Sequence, residues 1–292
     1  MVGPQNNDLK NIVEVLKTYD GEGAAESDLK SGELSRRNAT FNTLVAALVE
    51  TDLLDVVINN ELTVFAPTDA AFAELGLNPG NIGAVPGLAD ILLYHVVGGR
   101  VYSYNLTPGF VPTLNSAAVE VKLNGRTATI NNANLPARNI EALNGVVHIV
   151  DKVLLPPTMD IVDLAISFAP EFSTLVNAVV QAELVDVLKG DGPFTVFAPT
   201  NEAFEKLGID LSTLSKEDLT AILLYHVVPG RVYSSDLSTG SVATLNGDIY
   251  IDLSDLTIKD NGSIDKANLI AALLNVQATN GVIHVIDKVL LP

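Results

Sequence analysis

Five short segments of this chain occur twice, in the same order and at a nearly constant spacing. Thr63-Val64-Phe65-Ala66-Pro67-Thr68 returns as Thr195-Val196-Phe197-Ala198-Pro199-Thr200. Phe41-Asn42-Thr43-Leu44-Val45 returns as Phe172-Ser173-Thr174-Leu175-Val176, and Leu92-Leu93-Tyr94-His95-Val96-Val97 returns as Leu223–Val228. Asn144-Gly145-Val146-Val147-His148 returns as Asn280-Gly281-Val282-Ile283-His284, and Val150–Pro156 returns as Ile286–Pro292. The spacing is 131 or 132 for the first three pairs and 136 for the last two. Solenoid units are only about 20–45 residues long. The 292 residues therefore read as two copies of one domain, each large enough to bury its own core.

The spacing also locates the differences between copies. Ile12-Val13 matches Ile161-Val162 with a larger offset, which places an insertion in copy one at about residues 18–38. That stretch is polar and carries Gly21, Gly23, Gly32 and five carboxylates, and it reads as a surface loop. Copy two is expected to be longer near Asp255–Asn268. Leu155-Pro156-Pro157-Thr158 marks an extended, stiff connector. The expected domains are 1–157 and 158–292.

Composition narrows the function. Lys+Arg is 17 against Asp+Glu 35, a net charge of -18. This excludes phosphate-backbone binding, which needs a basic footprint, and docking on anionic lipid. It admits cations, basic partners, neutral glycans and apolar ligands. Cys is absent, so there is no disulfide, thiolate nucleophile or Cys-based metal site. Met1–Asp8 has no basic and apolar leader pattern, so no signal peptide is read. No apolar run is long enough to span a membrane.

Within each copy, helical periodicity comes first. Phe41, Leu44, Val45, Ala47 and Leu48 follow i, i+3, i+4, i+7 spacing. Leu62–Ala66 is a buried strand ended by Pro67, and Thr68 and Thr200 are N-caps of the helices that follow. Another helix covers Leu88–Leu93. Short alternating runs then take over at Val111–Leu114, Val119–Leu123, Thr127–Ile130 and Val146–Leu154, with a hairpin at Asn124-Gly125. Helices followed by antiparallel strands give an α+β domain.

The motifs in order are Phe-x-Thr-Leu, Thr-Val-Phe-Ala-Pro-Thr-(Asp/Asn)-x-Ala-Phe, Tyr-His-Val-Val, and Asn-Gly-Val-(Val/Ile)-His-x-(Val/Ile)-Asp-Lys-Val-Leu-Leu-Pro. Together, twice over, they resemble the fasciclin domain. The resemblance implies tandem domains, each a small antiparallel β-sandwich or wedge with several helices packed on it. It also implies a non-enzymatic adhesion or matrix protein, extracellular, on a cell surface or periplasmic, that contacts a surface or matrix protein or glycan, or a second copy of itself. Some algal members carry carotenoids, so a carrier of an apolar small molecule is the alternative. Contacts have been attributed in the family to the Tyr-His pair, here Tyr94-His95 and Tyr225-His226. They have also been attributed to an Asp-Ile pair, whose positions here read Asn139-Ile140 and Asn275-Val276 without the carboxylate. There is no Arg-Gly-Asp.

The chemistry-bearing residues read mostly as structural. His95, His148, His226 and His284 are all the histidines of the chain, two equivalent positions per copy in apolar surroundings. Buried imidazoles that satisfy backbone groups fit better than a metal site, because a third ligand is missing. Asp151-Lys152 and Asp287-Lys288 are neighbours on a strand and point to opposite faces, which does not suit a catalytic pair. Tyr102, Tyr104 and Tyr233 follow Arg100 and Arg231 and form either a strand-edge packing group or an aromatic patch. No nucleophile elbow, P-loop, dinucleotide fingerprint or His-Glu-x-x-His is present. No metal, cofactor or catalytic residue is expected. Glycosylation sequons stand at Asn38, Asn105 and Asn261.

Overall fold

The computed structural model describes residues 9–18, 39–125, 127–260 and 265–292. The expected insertion at 18–38 lies almost wholly outside the described residues, as do the sequons at Asn38 and Asn261. The chain divides into two compact units, Met1–Pro156 and Pro157–Pro292, referred to below as domains 1 and 2.

Domain 1 begins with helices α1 (Ile12–Lys17), α2 (Asn42–Glu50) and α3 (Leu54–Asn59), then strand β1 (Leu62–Pro67) and helices α4 (Asp69–Ala73) and α5 (Leu88–Tyr94). Strands β2 (Val96–Gly98), β3 (Gly109–Pro112), β4 (Ala118–Asn124), β5 (Thr127–Ile130), β6 (Ala133–Asn134), β7 (Ala137–Ala142) and β8 (Gly145–Val150) follow. They form two four-stranded sheets, in the orders β2-β1-β8-β7 and β3-β4-β5-β6. The second sheet is antiparallel throughout. The first is not: its central pair, β1 with β8, runs parallel from Leu62↔Gly145 to Pro67↔Val150. The closing strand follows the second sheet and β7 in the chain and lies beside β1 in the same direction.

Side-chain alternation on β1 and β8 then sets three layers. Val64, Ala66, Val147 and Ile149 face the helical core with Leu16, Leu44, Leu48 and Phe72. Phe65 and Val150 face the second sheet, packing with Tyr94, Val119, Val121 and Ile130. Both faces of β1 and β8 are buried along their full length.

Domain 2 repeats the plan. Its elements are α6 (Ile161–Ser167), α7 (Ser173–Gln181), α8 (Val185–Lys189), β9 (Phe194–Pro199), α9 (Asn201–Leu207), α10 (Lys216–Tyr225), β10 (Val227–Pro229), β11 (Gly240–Thr244), β12 (Gly247–Asp252), β13 (Thr257–Lys259), β14 (Ala267–Asn268), β15 (Val276–Ala278) and β16 (Gly281–Ile286). Its sheets are β10-β9-β16-β15 and β11-β12-β13-β14. The extra length of copy two sits between β13 and β14. Ile130 pairs with Ala133 across a tight turn, whereas Ile258 pairs with Ala267 across a longer excursion.

One asparagine before β8, and its counterpart before β16, fix the entry of these strands. Asn144 accepts from the Ile12 N–H through Oδ1 at 3.0 Å, and its Nδ2 donates to the carbonyls of Val57, Ile58 and Asn60 at 2.7–3.0 Å. It thereby ties the start of α1 and the end of α3 to the strand. Asn280 does the same, accepting from Ile161 N–H and donating to Leu188 and Gly190. The following glycine allows the approach. A β-carbon at Gly145 would lie 1.9 Å from the Leu62 carbonyl oxygen and 2.8 Å from Ile12 Cδ1; at Gly281 it would lie 2.2 Å from the Phe194 oxygen and 2.4 Å from Ile161 Cδ1. Backbone atoms in a paired strand cannot give way. Gly145→Ala and Gly281→Ala are each expected to destabilise their domain by about 3 kcal/mol, the upper range for overpacking. Denaturant unfolding of each variant checks this; a change below about 1 kcal/mol would contradict it.

Candidate functional site

The residues singled out from the motifs converge inside each domain. His95 is the C-cap of α5 and is 1% exposed. Its Nδ1 lies 2.7 Å from the Ile91 carbonyl oxygen, and its Nε2 accepts the Leu154 N–H at 2.8 Å. His226 makes the same pair of bonds, to the Ile222 oxygen at 2.8 Å and from the Leu290 N–H at 2.9 Å. One edge of the ring donates and the other accepts, so the ring must be neutral with its proton on Nδ1. Burial pushes both histidines down to about 4; hydrogen bonds to Ile91 and Ile222, and the charge of Asp260 beside His226, oppose the shift without reversing it.

The second histidine of each copy uses the other tautomer. His148 Nε2 donates to the Val101 oxygen at 2.8 Å, and Nδ1 accepts the Asn139 N–H at 3.4 Å. His284 bonds likewise to Val232 at 2.9 Å and accepts from Asn275 at 3.3 Å. Burial lowers both from the ordinary histidine value. All eight imidazole nitrogens are thus engaged with backbone groups, which leaves none to ligate a metal in this fold.

Asn139 and Asn275 stand in the left-handed region, at φ 58° and 59°, which Asn tolerates better than most side chains. Asn139 Oδ1 accepts the Ser103 N–H at 2.7 Å and Nδ2 donates to Ser103 Oγ at 2.9 Å. Asn275 grips Ser234 in the same way, at 2.7 Å for both bonds. An aspartate could not donate to the serine hydroxyl, so the amide suits this contact. Ile140 and Val276, next in sequence, pack against the helical cores.

Tyr94 and Tyr225 are buried between the sheets, and their hydroxyls donate to the Ala118 and Asp248 carbonyls at 2.8 and 2.7 Å. The side chains of Tyr94-His95 and Tyr225-His226, the pairs to which the resemblance attributes contacts, are packed into the fold. Asn139 and Asn275 are likewise committed to internal bonds.

Caps and clamps account for the remaining motif residues. Thr68 and Thr200 accept the Ala71 and Ala203 N–H groups at 3.2 Å. Asp69 reaches back to the start of α2, accepting from Thr43 N–H at 2.7 Å and Asn42 N–H at 3.2 Å. Burial opposes its ionisation, but hydrogen bonds from Thr40, Thr43 and Asn42 outweigh it and hold its pKa below the usual value. Asp151 and Asp287 each take two bonds from one asparagine, Asn134 or Asn268, at 2.6 and 2.7 Å. Arg100 donates to the carbonyls of Ala142, Leu143 and Gly145, and Arg231 to those of Ala278, Thr279 and Gly281.

What remains exposed differs between the domains. In domain 1, Tyr102 and Tyr104 stack nearly parallel with ring centroids 5.2 Å apart, and Tyr104 is 74% exposed. Their loop is held from beneath by Asn139, by His148 and by Thr63, whose Oγ1 accepts the Val101 N–H. Tyr233, the counterpart of Tyr102, is buried and donates to Gln277 Oε1 at 2.7 Å. In domain 2, a groove of about 340 Å³ lies between α7 and α9, floored by Ala178 and Phe204 and rimmed by Asn177, Gln181, Glu205 and Asp210. The groove cannot be read from one copy alone. The signal for the groove is a difference between copies, since Asn177 and Glu205 stand where domain 1 has Ala46 and Ala73.

The histidines set a pH dependence whose sign follows from the shifts. Folded His95 and His226 bind protons only near pH 4, while the unfolded chain binds them near 6.5. Their stabilisation is complete above the unfolded value and is lost as pH falls toward the folded one. Each domain is expected to lose about 3 kcal/mol between pH 7 and about 4. Asp69 acts at lower pH, so the interval above pH ~5 reports the histidines. Urea unfolding at stepped pH measures this, and a flat profile between pH ~7 and ~5 would contradict it.

The Fasciclin domain profile matches residues 39–156 and 170–292. A Synechocystis sp. relative, Protein sll1483, is 44% identical over 150 residues, covering 49% of this chain and 79% of that one. The fasciclin-like arabinogalactan protein elcF of Phaeosphaeria nodorum is 30% identical over 279 residues, covering 86% of this chain and 85% of that one. The transforming growth factor-beta-induced protein ig-h3 of Sus scrofa is 34% identical over 246 residues, covering 79% of this chain but only 34% of that one. The chain belongs to the fasciclin domain family and contains two such domains in tandem.

Proposed function

We propose that this chain is a non-enzymatic adhesion or matrix-interaction protein that works outside the cell, at its surface or in the periplasm, through bivalent contact. The observation that carries the reading is the commitment of the motif histidines, asparagines and arginines to internal bonds. The histidines, Asn139, Asn275, Arg100 and Arg231 all hold backbone groups in place. Such a frame presents surfaces and has no poised acid, base or nucleophile among these residues. The relatives that support the reading include periostin of Homo sapiens, 31% identical over 247 residues, as well as ig-h3. Among the described residues, no helix is long and apolar enough to cross a membrane.

The exposed Tyr102–Tyr104 stack and the α7–α9 groove are the proposed contact surfaces. The net charge of -18 favours a neutral glycan or a basic protein segment as partner, and self-association has to overcome like-charge repulsion. Two weak sites on one chain gain avidity of about 10²–10⁴ over either alone. A carotenoid-carrier role has less support: the apolar cavity in the core of domain 2 holds about 40 Å³, against roughly 300–1,000 Å³ for pockets of drug-sized ligands.

Beads coated with the tandem chain, with domain 1 or with domain 2 test this. The tandem beads are expected to cluster, and the single-domain beads to cluster at least tenfold less. Equal clustering by a single domain would contradict bivalence, and no clustering by the tandem chain would contradict self-association.

A further inference from the structure

The two domains share a frame but not a core. In domain 2 a cavity of about 40 Å³ lies between α6, α7, α8 and the first sheet, bounded among others by Ala165, Leu175, Val179, Leu188 and Ile283. Its cause is visible in the paired helices. Ala165 on α6 stands where α1 has Leu16, and Val179 on α7 stands where α2 has Leu48. These exchanges remove three carbons and one carbon. Leu188 for Val57 and Ile283 for Val147 return one each. The two carbons not returned leave the void. Its walls also lie closer to solvent: Ala165, Leu175, Val179 and Leu188 are 5–8% exposed, against 1–4% for Leu16, Leu44, Leu48 and Val57.

Water does not suit this space. A buried water needs two to four polar partners. The one polar side chain on the wall, His226, has both nitrogens engaged by the Ile222 carbonyl and the Leu290 N–H. Dry apolar cavities of this kind take apolar guests; an engineered one of about 150 Å³ accepts benzene or xenon. A space of about 40 Å³ admits a single xenon atom or an alkyl group of about two carbons. We propose that the helical core of domain 2 is a binding site for a small apolar molecule, entered between α6 and α7, at a position that Leu16 and Leu48 fill in domain 1.

Xenon is the probe. Methyl-resolved NMR of the full chain under increasing xenon pressure is expected to show saturable shifts of the Val179, Leu175, Leu188 and Ile283 methyls. The Leu16 and Leu48 methyls of domain 1 are expected not to shift in a saturable way. Ala165→Leu, which adds three carbons to a void of about two, occludes the cavity and is expected to abolish these shifts. Val179→Leu, which adds a single carbon, serves if Ala165→Leu does not fold, and is expected to weaken xenon binding several-fold. Absence of saturable shifts in the unmodified chain would overturn the proposal. Shifts that persist unchanged in a folded Ala165→Leu or Val179→Leu chain would also overturn it, since the xenon would then be bound elsewhere.

Discussion

In each domain a helix end and the closing segment meet in a dry interior, and one neutral imidazole pairs both. The Ile91 carbonyl needs a donor and the Leu154 N–H needs an acceptor, and His95 supplies both from opposite edges of one ring. A buried backbone group left unpaired costs about 1–3 kcal/mol, so the same histidine holds together α5 and the chain that follows β8. His226 repeats the arrangement with Ile222 and Leu290. In domain 2 the closing segment has a second anchor, because Asp260 Oδ2 accepts the next amide, Leu291 N–H, at 3.1 Å.

The rest of the fold follows from placing β8 and β16 correctly. Their entry is set by Asn144 and Asn280, their approach to the first strand by Gly145 and Gly281, and their turn by Arg100 and Arg231. These polar side chains act on main-chain atoms rather than on each other. That is an economical way to fix topology, because a backbone carbonyl is present whatever the local side chain. It also explains how two copies with different surfaces keep one frame. The groove residues Asn177 and Glu205 and the exposed Tyr104 lie outside this network, where exchanges leave the frame undisturbed.

Much of this architecture was legible in the sequence, for identifiable reasons. Duplicated motifs gave the repeat and the longer stretch of copy two, Thr68 and Thr200 announced their helices, and Asn124-Gly125 announced a hairpin, which the β4–β5 pairing contains with Gly125 at φ 61°. The parallel pairing of β1 with β8 was not legible, because strand direction within a sheet depends on contacts between residues far apart in sequence. The role of Tyr94-His95 was half legible. Apolar neighbours indicated burial of the histidine, but the partner amide at Leu154 is 59 residues away. The family attribution of cell contact to that pair pointed instead toward the surface. The packing difference behind the domain 2 cavity was present as Ala165 against Leu16, yet a single exchange acquires meaning only when the compensating positions Leu188 and Ile283 are known to be neighbours.

Nitrogen-detected NMR of the four histidine side chains, followed from pH ~8 down to ~5.5, tests the central claim most directly. The account predicts that His95 and His226 stay neutral across this range with the proton on Nδ1, and that His148 and His284 carry theirs on Nε2. Titration of His95 or His226 near the ordinary value of 6.5, or the opposite tautomer at either, would mean that the imidazole does not bridge the helix end and the closing segment.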